Sequence, residues 1–252
     1  MKIALLGSGN VATHLAKALK NSGHNIVQVW SRSLENSRIL GEKLETGFTN
    51  DITRISSAAD LYMLAVSDDA IEGLISAFPH RDKLLVHTSG STSVVFEGLS
   101  GVFYPVQTFS KQKEVDFSAI PIVVEGINTE VTEILSDLAN SLSRTVVNLN
   151  SEQRKVLHLA AVFACNFGNH LCAIADDILK RSNMSMDLIK PLIAETTDKL
   201  LHHPPVSVQT GPAVRNDRVT MNKHLQLLEN NAEVRDLYER LSQSIINLHQ
   251  KA

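Results

Sequence analysis

The chain has 252 residues, enough for one large domain or two modest ones. Hydrophobic residues make up 43% and charged residues 20% of it, as in an ordinary globular protein. A net charge of −3 gives no electrostatic reason to expect a nucleic acid or an anionic membrane surface as a partner. No apolar run reaches the roughly 20 residues that span a bilayer, and no signal peptide is recognised, so we expect no membrane partner. Cys165 and Cys172 lie seven residues apart in a predicted helix, too far to bridge, so we expect reduced thiols and a cytoplasmic protein.

The first thirty residues predict a strand, a helix and a second strand. Residues 2–6 and 26–30 are short apolar runs, and the segment between them is apolar along one helical face. In the turn before the helix, Gly7 suits a tight turn and Gly9 lets the backbone approach a pyrophosphate. The helix directs its first N–H groups at the same anion. The pattern predicts a dinucleotide-binding site, unless this is a glycine turn that binds nothing, and its candidate residues are Gly7, Ser8, Gly9, Asn10 and Val11.

The end of the second strand indicates which dinucleotide binds. An acidic residue there would bind the ribose 2′-hydroxyl of NAD, but this sequence has Ser31, Arg32 and Ser33. An arginine pairs with a 2′-phosphate through charge-assisted hydrogen bonds, and the serine hydroxyls add donors. These residues therefore predict NADP as the cofactor. The alternative is that Arg32 is an ordinary surface arginine.

The rest of the first 150 residues alternates between predicted helices and strands. The run 60–66 is almost entirely apolar, as expected of a parallel strand that is buried on both faces. This alternation predicts an α/β domain over residues 1–150 with a doubly wound sheet. The other predicted strands are residues 47–49, 83–87, 102–105, 120–125 and 145–149, and the predicted helices are residues 34–44 and 129–142.

Two polar loops follow strands of this sheet. In such folds the carboxyl ends of parallel strands border the ligand crevice. We therefore expect the loop with Val66, Ser67 and Asp68 to bind the cofactor near its nicotinamide. The next loop contains Ser89, whose hydroxyl is a candidate partner of the substrate or the nicotinamide, or else belongs to an ordinary turn serine.

The composition changes near residue 150, and no strand pattern occurs after it. Residues 151–181 predict one long helix with few charges in its middle, typical of a helix buried within a domain or between subunits. Ser185 is the predicted N-cap of the next helix, and Asp217 that of a helix over residues 218–228. We therefore expect an all-α domain over residues 151–252.

Four motifs give the chain a resemblance to a known family: GSGNVA at 7–12, SGS at 89–91, YPVQTF at 104–109 and TGPAVRND at 210–217. The segment 158–166 also fits. The chain resembles oxidoreductases that join an NADP/F420-type Rossmann domain to the helical domain DUF2520. It is more distantly similar to pyrroline-5-carboxylate reductase and the 6-phosphogluconate dehydrogenase-like superfamily. The resemblance implies a Rossmann-type domain that binds the cofactor, a pocket for a small-molecule substrate between the domains, and a homodimer formed through the helical domain.

One position departs from this resemblance. The β-hydroxyacid dehydrogenases of that superfamily have a lysine four residues before an asparagine on their first long helix. In this sequence the asparagine is Asn166, and the residue four positions before it is Val162. The usual lysine general acid is therefore absent there.

His158 and Asn166 are the catalytic candidates that remain on this helix. Hydride transfer to a carbonyl or imine needs a proton donor, and histidine titrates near neutral pH. At roughly 100° per residue of an α-helix, the two side chains would lie about 80° apart, on adjoining faces. We expect His158 to act as the acid and Asn166 to orient a substrate oxygen, unless His158 is a core histidine bonded to a backbone carbonyl.

Together these residues favour an NADPH-dependent oxidoreductase that transfers a hydride to or from a small carbonyl, hydroxy-acid or imine substrate. Two alternatives stay open: a regulatory protein that binds NADP(H) without turnover, and an enzyme that uses the deazaflavin F420. A metal site is not expected, because His202 and His203 have no carboxylate or cysteine at ligand spacing.

Overall fold

The computed structural model describes residues 1–94, 98–110 and 113–250. Its first half is built on one sheet of eight strands. Every strand that the sequence predicts is present, with small shifts at the ends. The strands are β1 (Lys2–Leu6), β2 (Asn25–Trp30), β3 (Gly47–Thr49), β4 (Leu61–Leu64), β5 (Leu84–His87), β6 (Ser100–Pro105), β7 (Ile122–Gly126) and β8 (Val146–Asn148).

The strands lie in the order β3-β2-β1-β4-β5-β6-β7-β8. Neighbouring strands of the described chain pair in parallel, except β6 and β7, which are antiparallel. The order reverses between β1 and β4, where open sheets of this kind bind ligands outside the carboxyl ends of the strands. The predicted doubly wound α/β class is therefore confirmed.

Both faces of the sheet are buried, which β1 illustrates. Ile3 and Leu5 pack into one apolar cluster, while Ala4 and Leu6 pack into another. Because successive side chains of a strand point to opposite faces, this split places one cluster on each side of the sheet. It also explains why residues 3–6 of β1 form an unbroken apolar run. The helices between the strands are α1 (Asn10–Asn21), α2 (Leu34–Leu44), α3 (Asp68–Ala77) and α4 (Thr129–Asn140).

The contacts within the chain divide it into two compact units, Met1–Asn166 and Phe167–Ala252. We call these the sheet unit and the helical unit. The division lies beyond residue 150 because the next helix begins in contact with the sheet. Ser151 donates from its backbone N–H to Glu125 at 2.9 Å, and Arg154 pairs with the same carboxylate. The domain limits 1–150 and 151–252 remain a prediction from composition.

One helix runs from Ser151 to Arg181, as predicted. Its π-helical segment contains Asn166, so the assumed 100° per residue between His158 and Asn166 is wrong. The i→i+5 bonding of a π-helix widens the turn and changes the angle between side chains. The parts of this helix are α5 (Ser151–Ala161), the π segment (Val162–Phe167) and α6 (Gly168–Arg181).

The middle of this long helix is apolar and exposed. Among the described residues it is the one helix that could cross a membrane by length and composition, with a mean hydropathy of 1.3 over the 18-residue window. The helix meets this measure although no uninterrupted apolar run reaches that length, because His and Asn side chains interrupt the apolar residues without adding charge. None of the window is buried within this chain. The predicted burial within a domain is therefore wrong for this window, and burial between subunits stays a prediction.

The helical unit also contains α7 (Lys190–His202), α8 (Arg218–Leu227) and α9 (Ala232–Gln250), which confirms its all-α class. Asp217 caps α8 as predicted, since its side chain accepts the Thr220 N–H at 3.0 Å. Ser185 instead caps the short 3₁₀ turn Met186–Leu188. The helix proper starts later, at Lys190, where Pro191 suits the first turn.

Candidate cofactor and substrate site

The glycine turn between β1 and α1 has the geometry of an anion-binding turn. Gly7 has a φ of +132°, and a Cβ there would lie 2.1 Å from the carbonyl oxygen of Ala65, so a side chain is excluded. At Gly9, no described atom lies within 4 Å of an added Cβ. Gly9 also precedes α1 without a side-chain cap. The first N–H groups of α1 therefore face open space and are available to a phosphate.

A cleft of about 940 Å³ adjoins this turn. Its volume lies within the range of small-molecule sites. The cleft brings together every predicted cofactor residue except Asp68. It is lined by residues 7–11, 30–33, 36, 65–67, 70, 73, 74, 107 and 109.

The end of β2 presents Ser31, Arg32 and Ser33 to this cleft. Ser31 is buried, and its Oγ accepts a hydrogen bond from Ser8 Oγ at 2.9 Å, which links β2 to the glycine turn. Ser33 Oγ caps α2 by accepting the N–H of Asn36. Arg32 is exposed and has no hydrogen bond or ion pair with a described residue. Its guanidinium is thus available to an anion in the cleft.

The segment after β6 packs against α1 and forms part of the cleft wall. Asn10 Nδ2 donates to the carbonyl oxygen of Phe109 at 2.9 Å, and His14 Nε2 donates to that of Ser110 at 2.8 Å. The rings of His14 and Phe109 stack with 5.4 Å between their centroids. The side chain of Asn10, a predicted cofactor residue, therefore holds this wall in place.

A second cavity, of about 480 Å³, contains all three catalytic candidates. His158, Asn166 and Ser89 line it, from α5, the π segment and the loop after β5. Asp68, predicted to bind the cofactor, lines this cavity and not the cleft. Val162 lines it too, so an apolar side chain occupies the position of the lysine found in the β-hydroxyacid dehydrogenases.

The cavity and the cleft have a common wall. Val11, Val66, Gln107 and Phe109 line both spaces. A dinucleotide in the cleft would therefore border a small molecule in the cavity. Hydride transfer requires such contact between the nicotinamide and the reacting carbon.

Tyr104 also lines the cavity, and its hydroxyl lies 3.2 Å from His158 Nδ1. The two rings meet edge to face, with 6.0 Å between their centroids. Burial raises the pKa of the Tyr104 hydroxyl, an effect that Arg154 opposes and Asp68 strengthens. The hydroxyl therefore stays protonated at neutral pH. Sequence reasoning did not select this residue, although its place at the end of a strand was the signal that could have found it.

Ser89 is fixed in a turn by its own side chain. Its Oγ accepts the N–H groups of Ser91 at 3.1 Å and Thr92 at 2.9 Å, and it donates to Thr92 Oγ1 at 3.0 Å. These are the bonds of a turn serine, the alternative to a catalytic role. The His87 ring closes the same loop, because Nδ1 accepts the Ser89 N–H and Nε2 donates to the carbonyl oxygen of Ser93. Burial lowers the pKa of His87 to about 4, so this ring is neutral at pH 7.

A buried arginine ties this loop to the helix that carries His158. Arg154 is fully buried and bonds both the Glu125 carboxylate and the carbonyl oxygen of Thr92. The Glu125 carboxylate also accepts hydrogen bonds from the backbone N–H and the Oγ of Ser151, each at 2.9 Å. The loop after β5, the strand β7 and the start of α5 are therefore held at one point.

Comparison with known families identifies the class of protein. Residues 2–90 match the family described as NADP oxidoreductase, coenzyme F420-dependent, and residues 120–245 match the domain of unknown function DUF2520. With the Rossmann-like sheet, these matches define a member of the NADP oxidoreductases. More particularly, the chain belongs to the family that joins this domain to DUF2520, as the resemblance in sequence predicts. A crystal structure from Bacteroides fragilis, designated an NADP oxidoreductase, is 43% identical, with a TM-score of 0.90 and 98% of each chain covered.

More distant solved structures share the fold. A reductive aminase from Aspergillus terreus, in complex with NADPH and ethyl-5-oxohexanoate, has a TM-score of 0.73 at 14% identity and covers 98% of this chain and 93% of that one. An imine reductase from Myxococcus stipitatus, in complex with NADP⁺, has a TM-score of 0.65 at 17% identity and covers 100% and 94%. At such identities the likeness concerns the fold alone. No curated protein matches the chain.

Proposed function

We propose that the protein is an NADP(H)-dependent oxidoreductase that transfers a hydride to or from a small carbonyl or imine compound. The observation that supports this proposal most directly is the common wall of cleft and cavity, formed by Val11, Val66, Gln107 and Phe109. A nicotinamide at that wall would lie at the strand ends, where such sheets hold their cofactors. The polar groups of the cavity would then surround the reacting carbon and its heteroatom.

The residues of the cleft fit a dinucleotide phosphate. The open backbone at Gly9 and the uncapped start of α1 suit a pyrophosphate. Arg32 can pair with the 2′-phosphate of NADP(H). No described lining residue of the cleft is an Asp or Glu, the residues that bind the ribose 2′-hydroxyl of NAD(H), so the lining supports NADP(H). The bound nicotinamide supplies or accepts the hydride. The chain itself holds both reactants and moves the proton.

The charges around the cavity bear on the substrate class. Apart from the titratable His158, Asp68 is the sole charged side chain among the described lining residues, and none of them is a Lys or Arg. A carboxylate on the substrate would meet Asp68 without a cationic partner, and like charges repel. Neutral carbonyls, imines and protonated imines therefore suit this cavity better than hydroxy acids.

A regulatory protein that binds NADP(H) without turnover is the second candidate function. It is supported by Val162, which lines the cavity where related dehydrogenases have their lysine. The description of the matching family supports a third candidate, in which coenzyme F420 takes part in the reaction.

We also propose that two copies of the chain associate through the helical unit. Neither α6 nor α7 contains a buried residue, although helices of their length depend on packing for stability. On α7, Leu192 and Leu201 are 65% and 76% exposed. A second copy would cover these side chains, in keeping with the homodimer that the family resemblance implies.

Titration with NADPH and with NADH, followed by the fluorescence of the reduced nicotinamide, tests the cofactor. We expect NADPH to bind about tenfold or more tightly, the value of one charge-assisted pair. Arg32→Asp should abolish this preference, because a carboxylate repels the 2′-phosphate of NADPH and accepts a hydrogen bond from the ribose 2′-hydroxyl of NADH. Arg54→Asp is the control, since it makes the same charge change outside the cleft lining. Equal affinity of the wild type for both cofactors would contradict the proposal.

Oxidation of NADPH with a panel of cyclic imines, neutral ketones and keto acids separates enzyme from regulator. We expect turnover of an imine or a ketone and the slowest turnover of the keto acids. Tight binding of NADPH without turnover of any compound would favour the regulatory protein. Turnover with reduced F420 and NADP⁺ would favour the third candidate.

A further inference from the structure

We propose that the Tyr104 hydroxyl donates the proton to the oxygen or nitrogen of the substrate, and that His158 replaces that proton on Tyr104. This inference rests on the proposed oxidoreductase function and names its proton donor. Tyr104 and His158 line the same cavity, and their hydrogen-bonding atoms lie 3.2 Å apart. They belong to β6 and α5, so the tertiary fold alone brings them together.

Tyr104 stands at the edge of the sheet where the reaction is expected. The carboxyl ends of β1, β4, β5 and β6 meet at that edge, because these strands are parallel. After Tyr104 the chain continues directly into Gln107 and Phe109, which belong to the wall shared with the cleft. His158 stands instead on α5, which follows β8. This placement favours Tyr104 as the group that touches the substrate and His158 as the group that resupplies it.

The hydrogen bond between the two side chains sets the direction of proton transfer. Burial keeps Tyr104 protonated at neutral pH, so its oxygen has a proton to give. When His158 is doubly protonated, its Nδ1–H donates to the Tyr104 oxygen. The hydroxyl proton is then directed into the cavity and not at the imidazole.

The proposed step balances as a two-electron reduction. The substrate carbon receives a hydride from a reduced nicotinamide dinucleotide, which is oxidised. The substrate heteroatom forms a bond to the Tyr104 proton as the O–H bond breaks. The tyrosine oxygen takes the Nδ1 proton of His158, and the neutral imidazole then regains a proton from the buffered solvent, which is the one proton that the overall reduction consumes. In the oxidative direction the same two groups accept the proton.

Gly90 gives the pair the space that it needs. A Cβ at Gly90 would lie 2.7 Å from His158 Nδ1 and 2.8 Å from Tyr104 Cζ, closer than real Cβ contacts. The loop is also held by Ser89 and Thr92, so the backbone of Gly90 cannot easily move away. The glycine is therefore a positioning residue: any side chain there would push the two rings apart.

Three elements direct charged or titratable groups at Tyr104. Arg154 of α5 eases the loss of its proton, while Asp68 of α3 and Cys165 of the π segment oppose that loss. Arg154 is itself paired with Glu125. Resupply from His158 offsets the opposing groups, because a cationic imidazole beside the oxygen stabilises the tyrosinate.

Reduction of cyclohexanone, a neutral ketone whose oxygen must gain a proton, by NADPH tests the proposal kinetically. We expect Tyr104→Phe to lower kcat by about 100-fold or more, as for loss of a general acid, with the Kd of NADPH unchanged. His158→Gln keeps a polar side chain beside Tyr104 but cannot resupply its proton, so it should lower kcat less than Tyr104→Phe does and leave the Kd of NADPH unchanged. Tyr238→Phe is the matched control, because Tyr238 bonds His224 Nδ1 at 2.8 Å in the same edge-to-face arrangement in the helical unit. A normal kcat in Tyr104→Phe overturns the proposal, whereas failure of the wild type to bind NADPH overturns the proposed function.

A second measurement needs no turnover. Nitrogen NMR of histidine-labelled protein with NADP⁺ reports which nitrogen of His158 carries a proton. We expect a protonated Nδ1 whose signal changes in Tyr104→Phe and in Gly90→Ala, but not in Tyr238→Phe. Thermal unfolding establishes that each variant is folded. A bare Nδ1 that accepts the tyrosine proton overturns the proposal, because that proton would then point away from the substrate.

Discussion

Arg154 and Glu125 form a buried ion pair between the start of α5 and strand β7. The exposed fractions of the two side chains are 0% and 17%. The same guanidinium donates to the carbonyl oxygen of Thr92, in the loop that carries Ser89 and Gly90. One side chain therefore fixes the loop relative to the helix that carries His158.

Removal of the cation from this pair should destabilise the sheet unit. Arg154→Met leaves the mostly buried Glu125 carboxylate without its cationic partner, which costs about 3 kcal/mol of unfolding free energy. Urea denaturation followed by circular dichroism measures the loss. Glu152→Gln is the control, because it breaks an exposed pair with Lys155 and should leave stability unchanged. Equal stability of Arg154→Met and the wild type would show that the pair has no structural role.

The two glycines of the phosphate turn should respond differently to alanine. Gly7→Ala places a Cβ 2.1 Å from a backbone oxygen at a φ of +132°, so we expect it to unfold at a clearly lower temperature. Gly9→Ala meets nothing within 4 Å, so its melting temperature should match that of the wild type. Its methyl group instead enters the space of the pyrophosphate and should weaken NADPH binding at least tenfold. Unchanged NADPH affinity in a folded Gly9→Ala protein would place the phosphates elsewhere.

The neutral ring of His87 should make stability depend on pH. The pKa of His87 is about 4 in the folded protein and 6.5, the ordinary value, in the unfolded chain. Between pH 4 and pH 6.5 the unfolded chain therefore binds a proton on this imidazole that the folded protein does not bind. The neutral ring therefore adds about 3 kcal/mol to the free energy of unfolding above pH 6.5, and this stabilisation is lost as the pH falls towards 4. His87→Gln cannot titrate, so its deficit relative to the wild type should shrink between pH 7 and pH 4.5 in urea denaturation. His203→Gln, which replaces a histidine on the exposed surface, is the control. If the stability difference between His87→Gln and the wild type is the same at both pH values, the lowered pKa of His87 is contradicted.

Ser89→Ala separates a turn serine from a catalytic one. The substitution removes the acceptor of two backbone N–H groups in a buried loop, which should cost about 1–2 kcal/mol of unfolding free energy. Ser93→Ala keeps the carbonyl oxygen that His87 uses and is the matched control. If Ser89→Ala is as stable as the wild type but loses kcat, the serine acts on the substrate and not on the turn.

A charge on α7 should dissociate the proposed dimer. Leu192→Glu places a carboxylate on α7, which contains no buried residue in the single chain, and sedimentation velocity should then show a monomer. Leu227→Glu is the control, because Leu227 is 84% exposed on α8, a helix that is anchored by the buried Met221. A wild type that sediments as a monomer would contradict the proposed association.

The sheet and its cofactor turn could be predicted because their signals are local. The apolar run of β4 and the small residues Gly7 and Gly9 reveal burial and close approach without knowledge of distant contacts. The residues at the end of β2 were found in the same way. All of these lie within one βαβ unit or one strand.

The cavity could be predicted only in part, because its geometry depends on contacts between distant segments. Tyr104 and His158 are 54 residues apart, and nothing in either neighbourhood indicates that the other side chain is near. The π segment was not predicted either, since a single widened turn leaves no periodic signal in the sequence. Asp68 was assigned to the cofactor because the loop was recognised but the direction of each side chain was not.

The wall formed by Val11, Val66, Gln107 and Phe109 has a consequence for ligand discovery. These residues line both the cleft and the cavity, so a dinucleotide bound in the cleft would form one surface of the chamber that holds the small molecule. Affinity for the small molecule is then a property of the binary complex and not of the bare chain. A screen against the protein alone would search an incomplete chamber, whereas a screen at saturating NADP⁺ would present the compounds with a complete one.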